Sequence, residues 1–280
     1  MPKFSELFHV SNGSYFDVEL TTDQKYYIDP GRINKLVCPG FDSAKAEMSI
    51  SKFMRLAFDV TSESYDKASM RKLFEDPHEI NATHLGLSAG ESRGSGTSLS
   101  MLHSVFLKAK NTVNDDNLLI RTPQIIPLFA PRFDADRFSD LITNIIINEL
   151  VQYTEYICDR LSIYVDSSQN IRVFDYTSGS WNEKNVSLPL DNNLKSIILV
   201  PAGLIVNKYP YSVNSYISKS ILPARQTELL KHGEKKSLKN IFQMDTRDIS
   251  QNKLKTYALQ ESVRDPKRLH EFLELIHLVA

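Results

Sequence analysis

The residues best suited to bind a ligand lie in one glycine-rich stretch, where four of the ten glycines fall within eleven residues. Glycine tolerates positive φ and lets the backbone approach a ligand closely. The helix predicted to follow would point unpaired N–H groups at that ligand. The stretch therefore predicts a site for an anion. Its predicted binding residues are Gly86, Ser88, Gly90, Arg93, Gly94, Gly96, Thr97 and Ser98.

Two known motifs overlap this stretch, and neither fits. Residues 86–90 match G-x-S-x-G, but the preceding segment is polar and the later glycines would break the helix that a serine hydrolase needs. Residues 90–98 end like a phosphate-binding P-loop but lack its lysine, and only Arg93 is near enough to replace it. Two interpretations stay open: a loop that grips a phosphate or carboxylate through backbone N–H groups and Arg93, or a turn without a ligand.

A second candidate site consists of acidic residues. Asp29 ends a strand-like segment, Glu79 precedes the glycine-rich stretch, and Asp136 and Asp140 are four residues apart on a predicted helix, with Asn144 a further four residues on. Mg²⁺ prefers such oxygen ligands, and a bound Mg²⁺ could activate water against a phosphodiester. The catalytic residues of this metal-dependent nuclease would be Asp29, Glu79, Asp136 and Asp140. The helical stripe is equally typical of a solvated face.

Charge is distributed unevenly along the chain. Residues 1–207 contain 20 Lys and Arg against 26 Asp and Glu, whereas residues 208–280 contain 13 against 8. The basic region includes the aromatic residues Tyr209, Tyr211, Tyr216, Phe242 and Tyr257. Such a region could face a phosphate backbone or an acidic protein, or it could be an ordinary solvated helical surface.

The elements that would position these residues are mostly helices. Apolar spacing predicts helices over 44–58, 65–75, 98–110 and 265–280, and a long central helix over about 136–160 whose acidic start complements the helix dipole. Strand-like segments are predicted at 15–20 with 25–28, at 161–165 with 171–176 around a turn at 166–170, and at 196–201. Residues 118–129 are expected to be extended.

These elements predict an α+β protein with a mixed or antiparallel sheet, the central helix of residues 136–160 and a helical C-terminal region. We expect an α+β core domain over residues 1–207 and a basic helical region over 208–280. The longest apolar run, Leu141–Val151, is interrupted by polar residues, so no membrane span is expected. The two cysteines have no ligand spacing, and the N-terminus has no secretion signal, which favours the cytoplasm.

Four segments carry a resemblance to known proteins: residues 28–30 (IDP), 77–96 (PHEINATHLGLSAGESRGSG), 136–154 (DRFSDLITNIIINELVQYT) and 196–201. Together they resemble a widespread set of uncharacterised bacterial proteins often met among phage-defence genes. The resemblance implies a cytosolic bacterial or phage-related context and assigns no catalytic residues.

Two classes of function are expected from these observations. In the first, the chain is a binding or sensing component of an antiviral defence assembly, which holds nucleic acid, a nucleotide or a partner protein through the glycine-rich stretch and the basic region. In the second, it is the metal-dependent nuclease described above, for which Mg²⁺ could serve as the metal.

Overall fold

The computed structural model describes residues 2–11, 13–20, 24–61, 67–74, 81–85, 99–113 and 115–276. Helices dominate the described chain. They are α1 (Phe4–Leu7), α2 (Ser43–Val60), α3 (Lys67–Phe74), α4 (Leu99–Val113), α5 (Asp116–Arg121), α6 (Ala135–Ile145), α7 (Ile147–Leu161), α8 (Val213–Tyr216), α9 (Leu222–Lys231), α10 (Leu238–Asp245), α11 (Lys253–Arg264) and α12 (Lys267–Leu275). The strands are β1 (Tyr27–Ile28), β2 (Asp166–Asp175), β3 (Ser180–Leu188) and β4 (Ile205–Val206).

The strands form two antiparallel pairs, β1 with β4 and β2 with β3. The α+β class and the helical C-terminal region are thus confirmed. The predicted hairpin of residues 15–28 is wrong, because β1 pairs with β4 and Tyr15 bridges Pro201. These partners lie about 180 residues apart in the chain, so local alternation could not reveal them.

The chain divides into two compact units. The first contains residues Met1–His103 and Asp136–Lys208, and the second contains Ser104–Ala135 and Tyr209–Ala280. The first unit carries 17 Lys and Arg against 23 Asp and Glu, and the second carries 16 against 11. The first unit is therefore acidic and the second basic, but the second unit also includes residues 104–135, which are part of the predicted core domain of residues 1–207.

In the first unit, aromatic side chains join the β2–β3 hairpin to the helices. The ring centroids of Phe53 and Phe174 lie 5.4 Å apart, and those of Phe174 and Trp181 lie 5.3 Å apart. Trp181 Nε1 donates a hydrogen bond to the carbonyl of Leu73 over 3.0 Å. The hairpin turns at Gly179, which has a φ of +68°. The predicted strand at 161–165 and turn at 166–170 are therefore wrong.

The predicted central helix is present as two consecutive helices, α6 and α7, interrupted at Ile146. Just before the break, Thr143 Oγ1 donates to the carbonyl of Ser139, and Asn144 Nδ2 donates to the carbonyl of Asp140, both over 2.8 Å. Such back-bonding competes with the helical ladder and is known to bend helices. Within the described residues, no helix combines the length and the apolarity that crossing a membrane requires.

In the second unit, residues 118–129 are helical rather than extended, which corrects the prediction. Asp115 Oδ1 accepts a hydrogen bond from the Leu118 amide over 3.0 Å and caps α5. A 3₁₀ helix, Pro123–Leu128, follows directly and is buried along its length. Proline fits the first turn of a helix because its missing N–H would be unpaired there anyway.

Candidate functional site

The predicted anion site cannot be located in the structure. All eight of its residues, from Gly86 to Ser98, lie outside the described residues, as does Glu79 of the predicted acidic site. Binding by the glycine-rich stretch therefore stays a prediction. The other acidic residues of the predicted metal site are all described.

Asp29 caps a 3₁₀ helix, Pro30–Lys35. Its side chain is buried, with 3% of the residue exposed. Oδ1 accepts a hydrogen bond from the Gly31 amide over 3.0 Å, and Oδ2 lies 3.7 Å from Arg32 Nε. Burial raises the pKa of Asp29, although the Gly31 amide and Arg32 oppose the shift. These contacts account for Asp29 as a structural residue of the first unit.

Asp136 and Asp140 lie on α6, in its first two turns. Among the described residues, no three His, Cys, Asp or Glu side chains are grouped so that they could hold a metal ion. Asn144, the third oxygen ligand expected on this stripe, is buried and uses its amide to bond the Asp140 carbonyl. With Glu79 undescribed, the predicted magnesium site stays a prediction.

Glu149 is a buried acid that the sequence analysis missed as a candidate. Only 2% of it is exposed, and Oε1 accepts a hydrogen bond from Asn148 Nδ2 over 3.3 Å. Oε2 is buried and has no hydrogen-bond partner among the described residues. Burial raises the pKa of Glu149, and the nearby Asp42 adds to the shift. The available signal was the polar pair Asn148-Glu149 inside the mostly apolar run of residues 141–151.

His84, just ahead of the glycine-rich stretch, is held by its backbone. Its carbonyl accepts a hydrogen bond from the Gln24 amide over 3.1 Å, and its φ is +51°. Nε2 is buried and has no hydrogen-bond partner among the described residues. Burial lowers the pKa of His84, although Asp191 opposes the shift. The imidazole is therefore neutral near pH 7.

In the second unit, Arg268 is the centre of a buried ionic network. Only 1% of the residue is exposed. Its two terminal nitrogens contact Glu261 and Glu228, and its Nε lies 3.5 Å from Asp265 Oδ2. Because α9, α11 and α12 each contribute to these contacts, the guanidinium joins three helices.

Arg225 extends the network to α10. Its Nε and Nη2 contact the two oxygens of Asp245 at 2.8 and 3.1 Å, and its Nη1 donates to Glu228 over 2.6 Å. Tyr257 Oη also donates to Asp245, over 2.9 Å. Burial opposes ionisation of Asp245, but hydrogen bonds from Arg225 and Tyr257 prevail and lower its pKa. Arg264 completes the network, 3.1 Å from Glu228.

The network leaves an excess of cations outside it. Residues 209–280 contain 12 Lys and Arg and 8 Asp and Glu. Three arginines and four acids belong to the network, so nine cations and four acids remain outside. The acids taken up by the network are Glu228, Asp245, Glu261 and Asp265.

The densest group of these cations lies in residues 231–239 (KHGEKKSLK), which comprise the last residue of α9, the loop that follows it and the first two residues of α10; we call this segment the lysine-rich turn. Lys231, Lys235 and Lys239 are exposed, and Lys236 pairs with Glu234 at 2.6 Å. Gly233 has a φ of +79°, and its amide bonds the Leu230 carbonyl over 3.0 Å. Lys231 ends α9 and Lys239 lies on α10, so helices hold two of the three exposed lysines, and Lys235 lies in the loop between them.

Most of the aromatic residues named for the basic region lie in the core. Tyr209, Tyr211, Tyr216 and Tyr257 are all buried. The hydroxyl of Tyr216 is 2.8 Å from Ser262 Oγ, and that of Tyr209 donates to the Gln124 carbonyl over 3.2 Å. These tyrosines are core residues, so they are not available to face a phosphate backbone or an acidic protein.

Comparison with known proteins identifies the family. No match exists among curated proteins or among solved structures. A family model described as a domain of unknown function (DUF8370) matches residues 9–214, which is more than half of the 280 residues. The match ends before α9, so the lysine-rich turn lies beyond it. The chain therefore belongs to the DUF8370 family.

Proposed function

We propose that the chain is a binding component that holds nucleic acid through the lysine-rich turn. One observation carries the proposal: Lys231, Lys235 and Lys239 are exposed, while four of the eight acids in residues 209–280 are paired with arginines of the network. The turn consequently presents positive charge with little internal neutralisation.

Phosphate contacts would supply most of the affinity. Lysine ammonium groups that neutralise phosphates release condensed counterions, and this release drives binding without regard to sequence. Because the four tyrosines of the basic region are buried, their stacking on bases would contribute little. We therefore expect binding that depends strongly on salt and weakly on sequence, with dissociation constants of about 10⁻⁴ to 10⁻⁶ M at physiological salt.

The biological setting belongs to the same proposal. The resemblance to proteins found among phage-defence genes supports a binding or sensing role in a bacterial antiviral defence assembly, in the cytoplasm and with a protein partner. The glycine-rich stretch, residues 86–98, remains a predicted second contact for an anionic ligand.

Fluorescence anisotropy with a labelled DNA duplex of about 20 base pairs tests the proposal. The double variant Lys235→Glu/Lys239→Glu should weaken binding by about tenfold or more at low salt, because it replaces two phosphate contacts by repulsion. The control Lys25→Glu/Lys35→Glu makes the same charge change at exposed sites of the first unit. Equal losses in both variants would show a nonspecific charge effect, and no loss in the first would contradict the proposal.

The predicted nuclease activity has its own test. The intact protein is incubated with DNA and RNA, with and without Mg²⁺ or Mn²⁺. Metal-dependent cleavage that disappears in Asp140→Ala would favour the enzyme. Retention without cleavage would favour the binding component.

A further inference from the structure

Two helices of the second unit leave an open groove between them. One wall is the C-terminal part of α4 and the other is α11, and the groove has a volume of about 340 Å³. This volume lies at the lower end of the range for ligand sites. The residues that matter for its chemistry are Leu107, Lys108, Asn111, Thr112, Leu259 and Val263.

The groove exposes apolar side chains that the core does not use. On α11, the buried face contains Tyr257, Ala258 and Glu261, whereas Leu259 and Val263 lie one helical turn apart on a neighbouring stripe. Val263 is 60% exposed. Leu107 on α4 continues this apolar stripe across the groove. Such a strip between two helices has the shape that a third amphipathic helix fills.

The two helices that form the groove contain more basic than acidic residues. Helix α4 contains Lys108 and Lys110 and no acid. Helix α11 contains one acid, Glu261, which is paired with Arg268 inside the ionic network. Lys108, which lines the groove, has no ion-pair partner among the residues that the structure describes. An occupant would therefore meet apolar side chains and an unneutralised ammonium group.

We propose that this groove docks an acidic amphipathic helix of a protein partner. Apolar side chains of the partner helix would cover Leu107, Leu259 and Val263, and an Asp or Glu at its edge would pair with Lys108. The proposal goes beyond nucleic-acid binding by the lysine-rich turn, because a phosphate backbone has no apolar face to cover Val263. In helix-in-groove docking, apolar anchors of the bound helix lie in an apolar groove, and Leu259 and Val263 would line that groove.

A phage-displayed library of amphipathic helical peptides, selected against the full-length protein, tests the proposal. The library keeps leucines at helical spacing and randomises the remaining positions. We expect the selected peptides to be enriched in Asp and Glu. Binding of the best peptide should weaken by about tenfold or more in Val263→Asp, since hot-spot contacts at interface centres have effects of this size.

Two further variants separate apolar contact from charge. Lys108→Glu should weaken binding of the acidic peptide and strengthen binding of a version of the peptide whose Asp and Glu are replaced by Lys. Val37→Asp places the same new charge on a 96% exposed valine of the first unit and should change affinity by less than about twofold. Both target positions are incompletely buried, and circular dichroism checks that each variant is folded.

Three outcomes would overturn the proposal. The first is a selection that enriches no peptide, or one that enriches peptides whose affinity is unchanged in both Val263→Asp and Lys108→Glu. The second is a change of oligomeric state in Val263→Asp, which would assign the groove to a second copy of the chain. The third is a loss of DNA binding in Val263→Asp, which would assign the groove to nucleic acid. Because the lysine-rich turn is unaltered in these variants, failure here leaves the nucleic-acid proposal to its own test.

Discussion

Replacing Arg268 by methionine should strongly destabilise the second unit. The guanidinium is almost fully buried and contacts Glu261 and Glu228, and Glu261 is itself buried. Methionine has a similar length but no charge, so the substitution leaves the Glu261 carboxylate in a poorly solvated site with only Arg264, at 3.4 Å, as a cation.

The magnitude follows from these contacts. Removing one partner of a buried ion pair costs about 3–5 kcal/mol. We expect the lower end, about 3 kcal/mol, because Glu228 is partly exposed and keeps its contacts with Arg225 and Arg264. For a unit of about 100 residues, each kcal/mol lowers Tm by about 4–8 °C. The expected decrease in Tm is therefore about 12–24 °C.

Thermal unfolding followed by far-ultraviolet circular dichroism measures this effect. Arg247→Met is the matched control, since Arg247 is an exposed arginine of the same unit, and it should change the free energy of unfolding by about 0.5 kcal/mol or less. The double variant Arg268→Met/Glu261→Leu should regain part of the loss, because an apolar pair removes the unpaired charge. A single variant as stable as the control, or a double variant less stable than the single, would refute the reasoning.

Three other predictions concern stability. Glu149→Gln should raise the free energy of unfolding by about 1–2 kcal/mol at pH 7.5 and by much less near pH 4. The reason is that burial raises the pKa of Glu149, so the folded state loses stability as the pH rises past the unfolded pKa of this group. Equal gains in urea titrations at both pH values would contradict this. Asp245→Asn should reduce the loss of stability below about pH 4. Hydrogen bonds outweigh burial and lower the pKa of Asp245, so the contribution of its carboxylate to stability disappears as the pH falls through that pKa. An unchanged dependence of stability on acidic pH would argue against it. Gly40→Ala should lower the free energy of unfolding, measured by thermal unfolding, by about 1–3 kcal/mol more than Gly233→Ala. Both glycines have positive φ, but only at Gly40 would the added Cβ lie 2.2 Å from the Tyr156 ring. Equal losses in the two variants would exclude the ring contact as the cause.

The helices were the most predictable part of the fold. Residues 44–58 and 98–110 were expected to be helical from apolar spacing alone, and the structure has α2 and α4 there. Such spacing works because each helix buries one continuous stripe. The prediction for residues 118–129 was wrong for a different reason. The pattern and its prolines suggested an edge strand, but the Asp115 cap and the tolerance of proline in a first turn favour helical conformations.

Pairings between distant segments could not be predicted. Strand β1 pairs with β4, and Arg268 reaches acids on two other helices, so these contacts depend on how the whole unit packs. The β2–β3 turn was missed although its signal was local. Asp175 accepts a hydrogen bond from the Thr177 amide, and Gly179 takes positive φ, as is typical of a tight turn. The sequence did predict the basic C-terminal region, but burial of its tyrosines follows only from the packing.

The salt dependence of DNA binding tests the central proposal most directly. The dissociation constant of the intact protein and of Lys235→Glu/Lys239→Glu would be measured by anisotropy between about 50 and 200 mM NaCl. If these lysines neutralise phosphates, the plot of log K against log salt concentration for the variant should be shallower by about two, roughly one for each lost contact. The same slope in both proteins, with equal affinities, would show that nucleic acid does not bind at the lysine-rich turn.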